Sequence, residues 1–200
     1  MFVNGCGADC DPMPRSSEEL PKLYGELLAV AVGRVMERKM ESLNGPLTTA
    51  FEHVDIPFQT PPTRAELQQR LTTATGMRAR HARQLLGILD REGKLEETYA
   101  YPVQVWQFGT GMTFIALGGE VVVDYALRFK GRYGWEDTWV AGYSNDNMGY
   151  IPSLRVLKEG GYEGGGAMVN YGRPGPLGEA VEETISGRVD QLVRRVGSTE

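Results

Sequence analysis

Two hundred residues with 41% hydrophobic content are enough for one ordinary domain and too few to argue for two. A formal charge of -5, from 21 basic and 26 acidic residues, provides no basic face for nucleic acid and no cationic run for an anionic membrane. No apolar stretch approaches the roughly 20 residues that a bilayer span requires, and the opening "MFVNGCGADCDPMPR" has neither the charged nor the apolar region of a signal peptide.

In chain order, "MFVNG" reads as a buried strand beginning at Met1, followed by the Gly-, Pro- and Asp-rich loop "CGADCDPMPR". "RSSEEL" places serines before acids, a helix start signal, and predicts a helix from about Ser17 to Ser42. Its apolar stripe is Leu20, Leu23, Leu27, Leu28, Ala31, Val35 and Met36, and Pro21 is tolerated because it falls in the first turn. The extended segment "LTTAFEHVDIPF" ends at "QTPPT", where Thr63 caps "RAELQQRLTTA". A second helix, Met77 to Arg91 and basic on its outer face, completes a helical excursion on the surface.

"YPVQVWQFGTGMTFIALGGE" alternates around "GTG" and predicts a hairpin ending at Glu120. "VVVDYALRFKGRYG" reads as a helix and "TWVAGY" as a buried strand, an order that implies a parallel crossover. Gly160 to Gly178 reads as irregular, and an amphipathic helix of about Leu177 to Val196 closes the chain. The expected class is α/β, a layered mixed sheet with flanking helices. A strand starting at residue 1 and a helical excursion with no evident partner suggest that the sheet lacks neighbours.

Chemistry concentrates at two expected strand ends. Glu120 lies in "ALGGEVVVDY", where two glycines let the backbone turn; acids are also favoured in a helix's first turn for electrostatic reasons alone. Tyr150 lies in "YSNDNMGYIPS", a polar loop after an apolar strand, and reads either as a functional phenol or as a core aromatic with a satisfied hydroxyl. Cys6 and Cys10 fit a short disulfide, half a metal site, or two unrelated thiols. His53 reads as a strand residue and His81 as a solvated helix residue.

"MFVNGCGADCDPMPR", "YPVQVWQFG", "ALGGEVVVDYAL", "VAGYSNDNMGYIPS" and "GGYEGG", taken in order, resemble the neutral/alkaline non-lysosomal ceramidase family, in particular its bacterial ceramidase-like branch. The resemblance implies a hydrolase of sphingolipid metabolism that cleaves the amide bond of ceramide with one Zn²⁺ held by two histidines, a glutamate and a tyrosine. By position it places the metal ligands on Glu120 and Tyr150, and it gives Tyr162, otherwise a packed aromatic, a contact to the scissile carbonyl oxygen. It also implies a lipid amide substrate and an exported parent protein.

The chain departs from that pattern in two places. The family's zinc histidines have no counterpart, because they lie upstream of the loop at which this sequence begins; residues 1–200 therefore read as the truncated C-terminal half of one catalytic domain. Asp11 stands where the family's loop carries a serine; a carboxylate there can act as a general base or simply shape the turn before Pro12. The expectation is a partial, inactive piece of a ceramidase-like zinc amidase, the alternative being a noncatalytic binding protein that keeps a remnant of the fold without metal.

Overall fold

The computed structural model describes residues 2–198. The described residues form six helices, a four-stranded sheet of order β1-β2-β3-β5 and a separate two-stranded sheet, β4-β6. β1 (Leu47–Pro57), β2 (Thr98–Phe108) and β3 (Met112–Leu117) form an antiparallel meander. β5 (Thr138–Ala141) then joins β3 in parallel by way of helix α4 (Val123–Tyr133), as the strand–helix–strand order predicts. The expected α/β class, a mixed sheet with flanking helices, is the one observed.

Alternation assigns the faces. One phase of the sheet, including Ala50, Ile56, Tyr101, Val103, Val105, Ile115, Leu117 and Val140, is buried. Helix α6 (Val181–Gly197) lies across β1 and β2 with Val181, Ile185, Val189, Leu192 and Val196 on one stripe. Burying each such side chain stabilises the fold by about 1.5–3 kcal/mol. Arg188 and Arg195 of α6 both reach Glu52 on β1, and the Thr48 hydroxyl donates to the Val196 carbonyl at 3.1 Å. On the other face Thr49, Trp106, Phe114 and Trp139 stand in register, Trp139 is 53% exposed and neighbouring Phe51 is 46% exposed.

Helix α1 (Leu20–Met36) is shorter than predicted and buries none of its residues, and its stripe leaves Leu23, Leu27, Leu28, Val35 and Met36 exposed. Helices α2 (Arg64–Thr73) and α3 (Gly76–Glu92) pack on each other around Leu67, Ala82, Leu85 and Leu95. Thr63 and Glu66 form the reciprocal cap that starts α2. The predicted N-terminal strand is absent from the described residues; Met1 lies outside them, and Phe2 is exposed. Among the described residues an isolated bridge, Gly5 with Ala141, ties that segment to the edge of β5.

Candidate functional site

The hairpin stops at Leu117, three residues short of the predicted end at Glu120, because Gly118 and Gly119 break the strand. Gly119 has φ +74, and a Cβ there would come within 2.7 Å of the Gly149 carbonyl oxygen and 2.8 Å of Ile151 Cγ1. That close approach lets β4 (Glu120–Val121) pair in parallel with β6 (Tyr150–Ile151), with Glu120 N–H donating to the Gly149 carbonyl at 2.9 Å. Glu120 and Tyr150 are therefore partners in register, side by side across the two strands.

The polar loop before Tyr150 acts as a fastener for this pair. Gly119 N–H donates to the Asp146 carbonyl at 2.7 Å, Tyr143 N–H to Gly119 at 2.8 Å, and Ser144 N–H to Leu117 at 3.0 Å. Tyr99 donates its hydroxyl to the Asp146 carboxylate. Arg173 crosses the Tyr99 ring at 4.8 Å and bonds the Met148 carbonyl at 3.0 Å. Small polar residues suit such a segment because the backbone turns through positive φ, at Tyr143 (54°) and Asn145 (67°).

Three phenols converge on one carboxylate. Tyr171 donates to Glu120 Oε1, Tyr143 donates to Oε2 at 3.4 Å, and Tyr150, the strand partner of Glu120, stands beside the same carboxylate. Tyr162 sits edge-on to Tyr150 with ring centroids 5.2 Å apart, and Tyr171 does so at 6.3 Å. Burial, then the hydrogen bond to and the charge of Glu120, push the Tyr150 and Tyr171 phenols well above the ordinary value; burial and Glu120 raise Tyr143 in the same direction. As the group stands, the phenols are protonated donors and the carboxylate is their shared acceptor.

Of the residues singled out in the sequence, the fold brings Glu120, Tyr150 and Tyr162 together and leaves Asp11 apart. Asp11 pairs with Arg15 on the exposed loop. Asp9 is the residue of that loop that reaches this region: its Oδ1 accepts from Val123 N–H at 2.8 Å, capping the start of α4 directly after β4, and Ala8 N–H donates to Val121 at 3.2 Å. Both cysteines are free, Cys6 buried and Cys10 exposed, and burial pushes the Cys6 thiol up to about 12.

His81 is not the solvated residue expected. It is 5% exposed, and its Nε2 lies 2.8 Å from the Arg173 carbonyl, to which it can only donate, because α3 packs against the tail rather than standing free. His53 is exposed on β1 with its ring edge-on to Phe51 at 5.0 Å. Tyr143 and Tyr171 had no spacing signal; Tyr171 lies in the glycine-rich tail and is delivered to Glu120 from 51 residues away.

Zinc sites rest on imidazole and thiolate ligands, and among the described residues no group of three or more His, Cys, Asp or Glu is placed to hold a metal. One carboxylate with flanking phenols supplies oxygen donors only, so the described residues do not by themselves make a zinc site. Among the described residues no helix is long and apolar enough to cross a membrane.

No family model matches the chain, and no curated protein matches it. Among solved structures it is similar to a ceramidase complexed with C2, at 15% sequence identity and a TM-score of 0.33, over 74% of this chain and 31% of that one. The chain thus spans about a third of that structure's length, with backbone paths too different to transfer residue roles.

Proposed function

We propose that this chain contributes part of the active site of a ceramidase-like amidohydrolase, in which Glu120 and Tyr150 are two of the ligands to a Zn²⁺ and the two imidazole ligands come from polypeptide outside these 200 residues. The observation that carries the reading is the register pairing of Glu120 with Tyr150, which sets a carboxylate and a phenol side by side at a half-buried strand end. The ordered motifs that resemble the ceramidases point to the same two residues and add Tyr162. His53 and His81 are occupied elsewhere in the fold, so neither completes the set.

A bound zinc ion would polarise the amide carbonyl and acidify a water molecule. This chain's residues have separate tasks. Tyr171 and Tyr143 orient the Glu120 carboxylate, the supporting arrangement that metal ligands generally need. Tyr162, 48% exposed and in contact with Tyr150, presents its hydroxyl where a substrate oxygen can accept from it; removing such a donor typically costs about 3 kcal/mol of transition-state stabilisation. A lipid amide of ceramide type is the substrate class that follows from the resemblance. Asp11 has the weakest support as a base, since its carboxylate is engaged by Arg15.

The test is elemental analysis and amide hydrolysis on a longer polypeptide that joins this chain to a histidine-bearing segment. One zinc per molecule, lost in Glu120→Ala and Tyr150→Phe together with activity towards N-acyl sphingoid amides, is the expected result. A folded longer protein without metal or hydrolysis would overturn the proposal and leave a noncatalytic binding protein.

A further inference from the structure

The corner between α2 and α3 faces a short 3-10 turn, Gly166–Val169, across an open cleft of about 750 Å³. Its polar lining consists of Arg70, Thr73, Thr75, Arg78, His81 and Asn170, and no carboxylate forms part of its wall. Guanidinium groups are planar forks matched to oxyanions, and hydroxyls and a carboxamide donate as well, so these groups favour a bound anion and none repels one.

Arg70 and Arg78 enter none of the ion pairs found among the described residues. Glu66, the acid that feels the Arg70 charge, is turned to the Thr63 backbone N–H and hydroxyl, at 2.7 and 2.9 Å. Thr75 begins α3 without spending its hydroxyl on a cap. On the far wall Asn170 donates to the Tyr162 hydroxyl at 3.3 Å, and Tyr162 touches Tyr150, so the cleft opens one side chain away from the carboxylate–phenol group.

We propose that this cleft is a phosphate-binding site. In combination with the amidohydrolase reading, on which this part rests, the phosphate is a substituent of the amide substrate, a class distinct from neutral ceramide. The same chemistry fits free inorganic phosphate, and the test separates the two.

The full chain is titrated with inorganic phosphate at constant ionic strength and followed by calorimetry and amide NMR shifts. Saturable binding that moves the Gly76, Arg78 and Asn170 amides is expected. Replacing Arg70→Gln and Arg78→Gln together is expected to weaken binding about tenfold or more with an unchanged circular dichroism spectrum, since both side chains are exposed. Shifts that fail to saturate, that chloride reproduces, or that persist in the double variant overturn the site.

The completed enzyme is then assayed on N-acyl amines with and without a terminal phosphate. A rise in KM in the double variant confined to the phosphate-bearing amide assigns the substituent; an equal change for both amides overturns that assignment in favour of free phosphate. Saturable phosphate binding in a protein that hydrolyses no amide keeps the cleft and removes the amidohydrolase reading.

Discussion

Tyr143 and Tyr171 share one acceptor, Tyr150 stands beside it in register, and the protonation of the three phenols reports whether the group is intact. Their folded pKa values are raised by burial and by Glu120, so their contribution to stability is complete below the unfolded value of about 10 and is lost as pH rises through the higher folded values. An ultraviolet titration of tyrosinate should show these phenols ionising after the exposed ones, and Glu120→Gln should bring them down towards the ordinary value. Three phenols titrating with the exposed set in the unsubstituted protein would contradict the geometry. Tyr101, fully buried, makes a second residue-scale test: its hydroxyl donates to the Gly118 carbonyl at 2.7 Å, directly before the Gly119 turn. Tyr101→Phe leaves that carbonyl without its partner and should cost about 1–3 kcal/mol in denaturant unfolding.

Among the elements, α4 links the site to the core. It starts two residues after β4, buries Tyr125 and Phe129, and receives its side-chain cap not from Val122, which precedes it, but from Asp9 on the N-terminal loop. A carboxylate at a helix N-terminus satisfies an orphan N–H and complements the positive end of the helix. Asp9→Ala should therefore lower stability by about 1 kcal/mol, and Asp9→Asn, which keeps the acceptor, should recover most of it; thermal unfolding of the two variants decides. Equal losses in both would show that the charge, not the hydrogen bond, holds the loop.

For the molecule as a whole, two apolar surfaces among the described residues stand partly open: the sheet face with half-buried Trp106 and Phe114 and exposed Phe51 and Trp139, and helix α1, with its exposed leucines and valines. Contiguous apolar patches of this kind mark interaction surfaces or sites of aggregation. The isolated chain should self-associate and bind a hydrophobic dye. Sedimentation across a concentration series checks this, with Trp139→Lys and Phe51→Lys shifting the distribution towards monomer. A concentration-independent monomer in the unsubstituted protein would show that the face is closed in solution.

The sequence by itself determined what short-range physics controls. The extended reading of "LTTAFEHVDIPF" matched β1, alternation gave the β2–β3 hairpin, Thr63 marked the start of α2, and the strand–helix–strand order gave the parallel β3–α4–β5 crossover. Glu120 and Tyr150 stood out at turns, but their local setting gave neither a role; that expectation came from the resemblance alone. Tertiary structure alone decided which groups meet: Tyr171 arrives at Glu120 across 51 residues, Asp9 reaches Val123 across 114, and His81 is buried by a tail 92 residues away. Such contacts depend on how packed elements bring distant segments together, and no local periodicity encodes that distance. Nor did the stripe on α1 foretell its exposure, because amphipathicity states what a helix can bury and not whether a partner is present.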